Sequence, residues 1–320
     1  VLLGSNFIIR ILGKLNCKVI NVDKLTYSGN LDNLSGVKEN YDFLELDIAD
    51  KDKIKEAIMK FEPDVIINFA AESHVDRSID NCSDFINTNI LGTINLLEAS
   101  LTYYRESQKD NFKFIHISTD EVYGSLEKTG SFSEDSTYAP SSPYSASKAS
   151  SDHFVNAWNK TFGLPTIITN CSNNYGPFQF PEKLIPLMII NSINENKLPV
   201  YGNGDNVRDW IHVDDHCDAI IRIIENGKVG EKYNIGGNCE KRNIDIVEEI
   251  CDIVDVLCPR NSNKSHRELI EFVDDRPGHD YRYAVDSSKI SNTLNWIPKV
   301  NFNDGMTSTV KWYLDNSVWW

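Results

Sequence analysis

Basic side chains are scarce in this chain. Only 32 Lys and Arg stand against 47 Asp and Glu, which gives a formal net charge of -15 over 320 residues. Such a charge repels the phosphate backbone of nucleic acids and the surface of anionic lipids. We therefore expect neither nucleic acid nor a membrane as a partner. A small phosphorylated ligand stays compatible with this charge, because two or three well-placed arginines suffice to hold a diphosphate.

The chain also lacks paired cysteines and long apolar runs. Its seven cysteines are odd in number, scattered and nowhere in a CxxC pair, which argues against a disulfide framework and against a metal site. No apolar stretch approaches the length of a bilayer crossing, and there is no basic-then-apolar leader. The 41% hydrophobic and 25% charged residues predict an ordinary globular protein. From the cysteines we expect a protein of the reducing cytoplasm without a metal.

Short β-branched runs alternate with longer helical patterns along the chain. Strands are predicted at residues 18–22, 41–46, 65–69, 112–118 and 165–170, and helices at 51–61, 85–104 and 145–162. This alternation predicts an α/β fold with a doubly wound parallel sheet of the Rossmann type. From about residue 173 the sequence turns to Pro- and Asn-rich loops. We predict a first domain over residues 1–172, with returns near 211–235, and a smaller α/β domain over 173–320.

The chain opens directly into a helical pattern. A dinucleotide-binding fold needs a first strand and a glycine-rich turn before its first helix, so that the backbone can approach the pyrophosphate. Only Gly4 is a candidate for the last glycine of such a turn, and the sequence is expected to be incomplete at this end. Asp23 follows at the roughly 20-residue spacing of the carboxylate that binds a ribose hydroxyl, which favours NAD over NADP. Asp23 as a simple turn residue is the alternative.

Two motifs carry the candidate chemistry. Tyr144 and Lys148 lie one helical turn apart, so the lysine charge is expected to lower the pKa of the phenol and make a tyrosinate base available. A pair of residues on the surface of an amphipathic helix is the alternative. Thr119, Asp120 and Glu121 follow an apolar run, at the carboxyl end of a predicted strand, where open parallel sheets bind ligands. A solvated loop or a helix cap is the alternative for the two acids.

Eight segments, taken in order, resemble one family. They are DKLTYSGN (23–30), AAESHVDRS (70–78), STDEVYG (118–124), YSASK (144–148), CSNNYGP (171–177), PEKLIP (181–186), NVRDW (206–210) and DRPGHD (275–280). Together they resemble the dTDP-glucose 4,6-dehydratase family, which belongs to the extended short-chain dehydrogenases/reductases. A YxxxK pair alone is common by chance, whereas this ordered set spans nearly the whole chain and is highly specific.

The resemblance implies a tightly held NAD that is reduced and reoxidised in one turnover. Tyr144 would take the proton of the sugar 4-hydroxyl while hydride leaves carbon 4, with Thr119 bonded to the 4-oxygen and Lys148 beside the tyrosine. Glu121 would then remove the proton of carbon 5 while protonated Asp120 donates to the departing 6-hydroxyl. Hydride returns to carbon 6. The scheme needs a raised pKa for Asp120 and an ionised Glu121, which neighbouring acids achieve by unequal burial.

The resemblance also implies the binding residues and a dimer. The cofactor contacts would be Gly4, Asp23, Lys24, Thr26, Asp47, Ile48, Ala70, Ala71, Ser73, Thr88, Tyr144, Lys148 and Asn173. The nucleotide-sugar contacts would be Ser73, Thr119, Asn173, Glu182, Lys183, Leu184, Arg208, Asn243, Arg276 and His279. Asp47 could instead be a helix cap before residue 51, and Thr88 could be packed within its own helix. A homodimer would form through the helices at 85–104 and 145–162.

Three other functions stay open at this point. A nucleotide-sugar 4-epimerase of the same fold would use NAD, the tyrosine and the lysine, but would not need Asp120 and Glu121. A dehydratase acting on another nucleotide sugar, such as a UDP or GDP derivative, would keep both acids. A catalytically silent nucleotide-binding protein would account for the absent first strand and glycines.

Overall fold

The computed structural model describes residues 2–320, and parallel strands form its centre. In chain order the strands are β1 (Val19–Asp23), β2 (Tyr41–Glu45), β3 (Val65–Asn68), β4 (Lys113–Thr119), β5 (Thr166–Cys171), β6 (Asn173–Tyr175), β7 (Leu198–Tyr201), β8 (Val207–His212), β9 (Lys232–Ile235), β10 (Glu240–Arg242) and β11 (Ile270–Val273). The largest sheet has the order β3-β4-β5-β9, with every pair parallel. The predicted α/β fold is confirmed.

Helices connect these strands and cover them. In chain order they are α1 (Leu2–Lys14), α2 (Lys51–Phe61), α3 (Val75–Asp80), α4 (Ser83–Phe85), α5 (Thr93–Ser107), α6 (Pro143–Phe162), α7 (Leu184–Ile193), α8 (Val213–Asn226), α9 (Asn243–Leu257), α10 (Ser288–Leu294) and α11 (Phe302–Asp315). Short 3₁₀ turns span Leu31–Leu34, Asp120–Tyr123 and His266–Leu269. No helix within residues 2–320 combines the length and the apolar character needed to span a membrane.

The central sheet is buried on both faces. Phe114 of β4 packs with Ile54, Leu97 and Val155, which come from α2, α5 and α6. Its neighbour Ile115 points to the opposite face and joins residues of α1, α8 and α10 in a second core. Because strands of parallel sheets are covered on both sides, they consist of nearly continuous apolar runs. That explains why β3, β4 and β5 could be predicted from the sequence to within two residues.

The strands do not all join one sheet. β1 pairs with β2 in parallel, and neither pairs with β3. In a doubly wound sheet the strand that precedes the first helix lies between these two sets, and no such strand is among residues 2–320. Accordingly every residue of β1 is only partly buried, whereas β5 is buried throughout.

The second lobe, defined here as β6–β8, β10, β11, α7, α9 and α11, has a core of its own. This core contains Met188, Leu198, Trp210, Ile250 and Val310. β8 pairs with both β6 and β10, and β7 pairs with β11. The C-terminal Trp319 packs on Trp312 and donates to Asn33 Oδ1 at 2.6 Å. The domain boundary near residue 172 stays a prediction, although β9 does return to the central sheet.

One helix prediction is wrong in detail. Residues 85–104 do not form a continuous α-helix, because Ile86–Gly92 forms a π-helix between α4 and α5. The Asn89 side chain bonds the backbone of Glu72 at 2.9 and 3.0 Å and donates to the Ser147 hydroxyl at 2.8 Å. The backbone carbonyl of Asn89 accepts from the Ser151 hydroxyl. These contacts draw the segment toward α6. Single-turn π segments inside helices often mark functional sites.

Candidate active site

The carboxyl end of β4 presents three functional groups in succession. Thr119 ends the strand, and Asp120 and Glu121 begin the 3₁₀ turn that follows. The Thr119 hydroxyl accepts from the Glu121 amide at 3.2 Å and donates to Asp120 Oδ1 at 3.3 Å. Asp120 is only 1% exposed, whereas Glu121 is partly exposed. A solvated loop is therefore wrong for Asp120.

Helix α6 brings Tyr144 and Lys148 to the same place. Its start is fixed by a capping box, in which Ser142 and Ser145 bond each other's backbone amides, and by Pro143 in its first turn. Tyr144 is 8% and Lys148 is 3% exposed. An exposed surface pair is therefore excluded as an account of this motif.

The two acids have different surroundings, and their pKa values respond differently. Burial raises the pKa of Asp120 well above its ordinary value, and the nearby charges of Glu121 and Asp209 raise it further. Burial also raises the pKa of Glu121, but Arg208, Arg276 and Lys183 oppose that rise. Asp120 is therefore the acid that more readily keeps a proton, in the direction that the proposed division of labour requires.

The expected effect of Lys148 on Tyr144 is not found. Burial raises the pKa of Tyr144 well above its ordinary value, Glu121 adds to the rise, and hydrogen bonding with Thr119 opposes it. Lys148 is not among the largest influences on the pKa of Tyr144, and its ammonium donates to the Ile117 carbonyl at 2.8 Å and lies 3.4 Å from His116 Nε2. A shared helix face places two residues side by side, but it does not aim their end groups at each other.

Arg208 of the second lobe lies next to this centre. It is 5% exposed, and its guanidinium donates to the carbonyls of Val207 at 2.8 Å and Asp280 at 3.0 Å. The guanidinium also lies 4.3 Å above the ring of Tyr283. These contacts fix the plane of the guanidinium while leaving it beside Glu121.

Arg276 and His279 lie in the loop that follows β11. Arg276 Nη1 contacts Asp76 Oδ1 at 3.3 Å, and its Nε is buried without a hydrogen-bond partner among residues 2–320. His279 Nδ1 lies 2.6 Å from Asp275 Oδ1. Arg276 therefore faces Glu121 from the second lobe while it is paired with the first.

The loop before α7 ties the two lobes together. Lys183 Nζ donates to the Ser73 carbonyl at 2.7 Å. Glu182 Oε1 accepts from Tyr27 at 2.9 Å, and its Oε2 lies 3.3 Å from Arg77. The predicted sugar contact Glu182 is thus already bonded to residues of the first lobe. Leu184 begins α7 directly behind Lys183.

Two of the predicted contacts are asparagines with an unbonded side-chain carbonyl in the described part of the chain. Asn173 begins β6, and Asn243 begins α9 with its amide bonded to the Asn206 carbonyl at 2.9 Å. In both residues Oδ1 is buried without a hydrogen-bond partner among residues 2–320. Buried polar atoms in proteins are normally bonded, so each atom is a candidate ligand contact.

The predicted cofactor contacts meet around Lys24. Its ammonium donates to Thr88 at 3.0 Å and lies 3.6 Å from Asp47. At the end of β1, one carboxylate oxygen of Asp23 accepts a hydrogen bond from the Leu25 amide at 2.8 Å, as in a turn residue. Asp47 does not cap α2, since Asp50 does so. Thr88 accepts from Lys24 and is also only 4% exposed, so its role as a cofactor contact stays a prediction.

Small and apolar residues line the same strand ends. Ala70 and Ala71 follow β3, with the Ala70 amide bonded to Asn68 Oδ1 at 3.1 Å. Ile48 packs closely on Gly92, where a Cβ would approach the Ile48 side chain to 2.5 Å. The remaining predicted contacts lie in the first turn of α1 (Gly4), in a turn closed by Gly29 (Thr26) and before α3 (Ser73). Carboxylates at β1 and β2 with alanines at β3 fit a dinucleotide laid across the sheet.

Several residues of the site were not predicted from the sequence. Tyr283 and Asp280 fix Arg208, and Tyr27 and Arg77 hold Glu182, all through contacts between distant parts of the chain. Nothing in their local sequence indicates these contacts. Asp152 is different, because it continues the spacing of Tyr144 and Lys148 by four more residues and so lies on the same helix face.

Comparison with known proteins places this arrangement in context. Residues 2–309 match the family model described as GDP-mannose 4,6 dehydratase. A probable dTDP-glucose 4,6-dehydratase from Sinorhizobium fredii is 54% identical over 99% of this chain and 93% of its own, and the dTDP-glucose 4,6-dehydratase of Neisseria meningitidis is 52% identical over 99% and 92%. The crystal structure of DesIV, a dTDP-glucose 4,6-dehydratase from Streptomyces venezuelae with NAD and TYD bound, superposes with a TM-score of 0.91 at 41% identity, covering 99% of this chain and 95% of that one.

Proposed function

The chain belongs to the dTDP-glucose 4,6-dehydratase family, and from this membership we propose that it converts dTDP-glucose into dTDP-4-keto-6-deoxyglucose with NAD as its cofactor. The observation that carries the proposal is the pair Asp120 and Glu121 beside Thr119 and Tyr144. A 4-epimerase needs only the tyrosine and the hydroxyl. Two acids with unequal surroundings are what an added elimination of water requires.

NAD, when bound, supplies the acceptor and the donor of the hydride. The residues that would hold it are those at the carboxyl ends of β1, β2 and β3, together with Thr88. Asp23 keeps one carboxylate oxygen for a ribose hydroxyl, and Lys24 offers a cation near Asp47. Ala70 and Ala71 add no bulk where a ring must lie close to the strand end. The buried Lys148 ammonium brings a positive charge to the same helix face as Tyr144.

Tyr144 and Thr119 would act first, on carbon 4. Tyr144 accepts the proton of the 4-hydroxyl as that carbon becomes a ketone. Its pKa is raised in the folded chain, so formation of the phenolate requires positive charge nearby. The Thr119 hydroxyl holds the 4-oxygen in place. The ketone then acidifies the proton on carbon 5.

Glu121 and Asp120 would carry the elimination. Glu121, ionised under the influence of Arg208, Arg276 and Lys183, removes the proton from carbon 5. Asp120, which keeps its proton because it is buried beside other acids, gives it to the 6-hydroxyl so that water departs. Glu121 finally returns its proton to carbon 5 as carbon 6 is reduced.

The proton balance then requires one internal transfer in each turnover. Tyr144 has gained the proton of the 4-hydroxyl, and Asp120 has lost one to the departing water. The Thr119 hydroxyl lies between them, since it donates to Asp120 Oδ1 at 3.3 Å and is near enough to Tyr144 to influence the pKa of the phenol. The Thr119 oxygen also accepts from the Glu121 amide at 3.2 Å, and this bond orients the hydroxyl proton toward Asp120. We infer that Thr119 returns the proton from Tyr144 to Asp120.

Arg208 and Arg276 would bind the diphosphate, since a guanidinium offers paired donors to phosphate oxygens. Asn173 and Asn243, with their free side-chain carbonyls, would contact the sugar nucleotide. We further infer a homodimer formed through α5 and α6 and a cytoplasmic location. Analytical ultracentrifugation of the protein tests the first: a monomer at micromolar concentration would contradict it.

The decisive experiment incubates the protein with dTDP-glucose and no added NADH. A dehydratase forms a 4-keto-6-deoxy product. Release of dTDP-galactose would instead establish an epimerase, and no turnover with NAD supplied would establish a silent protein. The variant Glu121→Gln is expected to stop solvent exchange at carbon 5 while cofactor reduction stays measurable. Simultaneous loss of both would contradict the role of Glu121.

A further inference from the structure

A chain of buried polar groups lies behind Lys148. His116 of β4 is fully buried, and its Nε2 lies 3.4 Å from Lys148 Nζ and 3.5 Å from Asp152 Oδ1. Asp152 is 2% exposed and lies one helical turn after Lys148 on α6. The mechanism proposed above uses neither His116 nor Asp152. A buried carboxylate that serves no structural cap is costly to keep and calls for an explanation.

The hydrogen bonds around Asn68 settle which nitrogen of His116 carries the proton. The Ala70 amide donates to Asn68 Oδ1 at 3.1 Å, so the other end of that side chain is its NH₂ group. This NH₂ group lies 3.1 Å from Thr93 and 3.3 Å from His116 Nδ1. Nδ1 is therefore an acceptor. In the neutral ring the proton is on Nε2, where it points to Asp152 and cannot accept from Lys148.

The remaining bonds of Asp152 fix its other oxygen. Oδ2 accepts from the Tyr138 hydroxyl at 2.8 Å and from Asn170 Nδ2 at 3.1 Å. Oδ1 has no hydrogen-bond partner among residues 2–320; it faces His116 Nε2 at 3.5 Å, and the Ser118 hydroxyl is also close to the carboxylate. Asp152 and Lys148 form no ion pair within 4.0 Å, because the His116 ring lies beside both end groups. The Lys148 ammonium is instead bonded to the Ile117 carbonyl.

The charges facing this group come from four elements. Asp152 on α6 raises the pKa of Lys148, against the burial that lowers it, and Cys171 of β5 acts in the same direction. The pKa of His116 lies well below its ordinary value because of burial and the lysine charge, so the ring is neutral. Around Asp152, Tyr138 and Tyr123 are neutral phenols, and Lys232 of β9 is a more distant cation. Burial raises the pKa of Asp152 as well, and the Lys148 charge opposes that rise. Asp152 is thus the carboxylate that acts on the charge of Lys148.

We propose that Asp152 is a positioning residue that keeps Lys148 an ammonium, with the neutral His116 ring as the spacer that prevents a direct ion pair and leaves Lys148 at the Ile117 carbonyl. A direct pair would draw the ammonium away from the face it shares with Tyr144. The proposal concerns the charge of one lysine in the folded chain. It therefore stands or falls independently of which sugar nucleotide the protein uses.

The test follows the ionisation of Lys148 directly. Protein labelled with ¹³C at lysine Cε is titrated by NMR, and the Lys148 signal is identified by its loss in Lys148→Arg. In Asp152→Asn the midpoint of this signal is expected to fall by about one pH unit or more, since one pH unit corresponds to the loss of one ordinary buried charge interaction. The alkaline limb of kcat/KM is expected to move in the same direction.

The matched control is Asp215→Asn. Asp215 is equally buried and accepts from the amides of Lys299 and Val300, so its loss weakens the fold without touching Lys148. The Lys148 midpoint should be unchanged in that variant. If Asp152→Asn does not fold, Asp152→Ser, which leaves room for water beside Tyr138, carries the same expectation. An unchanged midpoint in the folded Asp152 variant would overturn the proposal.

Discussion

The reactive centre and the second-lobe contacts are built in different ways. All the proposed proton-transfer groups come from residues 119–148, on the end of β4 and the first turns of α6, and they are held by the cores on both faces of the sheet. The groups proposed to bind the sugar nucleotide lie mostly between residues 173 and 279. They are oriented by backbone carbonyls and ion pairs across loops, as Arg208 is by Asp280.

The groups of the reactive centre are buried and held by the cores, whereas the sugar-nucleotide contacts depend on loops between the two lobes. Asp120, Tyr144 and Lys148 are nearly inaccessible, so their ionisation is governed by burial. Arg276 and Glu182 are shared between the lobes through Asp76 and Arg77. Substitutions in the reactive centre should therefore act mainly on kcat, and those in the second lobe mainly on KM.

The sharpest test of that division is Tyr144→Phe. Removing the phenol takes away the base for the 4-hydroxyl, and kcat is expected to fall by about 10² to 10⁴. Binding of dTDP, measured by calorimetry, should be nearly unchanged. Tyr103→Phe removes the same atom from a buried tyrosine of α5 and is expected to leave kcat unaltered. Equal losses in both variants would mean that the effect is structural.

The loss of activity in a Thr119 variant should lie between that of Tyr144→Phe and those of substitutions in the second lobe. Thr119→Val loses the bond to the 4-oxygen, so its first turnover should be slower than that of the parent chain. If the hydroxyl also returns the proton from Tyr144 to Asp120, later turnovers should be slower still, so that rapid-quench kinetics show a burst of about one product per site. Thr119→Ser keeps the hydroxyl and should restore steady turnover. A uniform slowing of the first and later turnovers in the valine variant would show that the hydroxyl only holds the substrate.

The same contrast explains what could be predicted from the sequence. Strands β3, β4 and β5 and helix α2 were predicted almost to the residue, because continuous apolar runs and helical periodicity are local signals. Asp120 and Tyr144 could be predicted as site residues for the same reason, because the end of β4 and the start of α6 were recognisable in the sequence. The partners of Arg208 and Glu182 were not predictable, because Tyr283 and Tyr27 reach them only through the folding of distant loops.

The π-helix and the position of the Lys148 ammonium have a physical cause in common. The π-helix at Ile86–Gly92 is held by the bonds of Asn89 to Glu72 and Ser147, and the Lys148 ammonium is held by its hydrogen bond to the Ile117 carbonyl. In each case a hydrogen bond from another element overrides the local pattern. Periodicity predicts which face of a helix a side chain occupies, but tertiary contacts decide where its polar end lies.

In the second lobe, Arg208→Lys is expected to raise KM by about 10-fold to 100-fold while kcat changes little. A lysine keeps the charge but loses the paired donors and the stacking on Tyr283. Steady-state kinetics with dTDP-glucose measure both constants. Arg260→Lys alters a partly buried arginine that pairs with Glu195, away from the site, and should change neither. A fall confined to kcat would place Arg208 in the reactive centre instead.

The smallest expected effect concerns stability, and it has the opposite sign to the effect on activity. The folded chain holds the Asp120 proton above the ordinary pKa of 3.8, so the unfolded chain loses that proton first as pH rises. The cost to folding is therefore absent below about pH 3.8, grows above it and is complete once pH exceeds the folded-state value. Each unit of difference corresponds to about 1.4 kcal/mol.

Asp120→Asn removes this cost and should be more stable than the parent chain at pH 8, with the advantage vanishing toward pH 4. Urea denaturation at the two pH values measures the difference, and Asp135→Asn, at an exposed carboxylate, should show none. An inactive and equally stable Asp120→Asn would mean that Asp120 is ionised at no cost in the folded chain. Asp120 could then not serve as the acid, and the difference in burial between Asp120 and Glu121 would not explain separate catalytic roles.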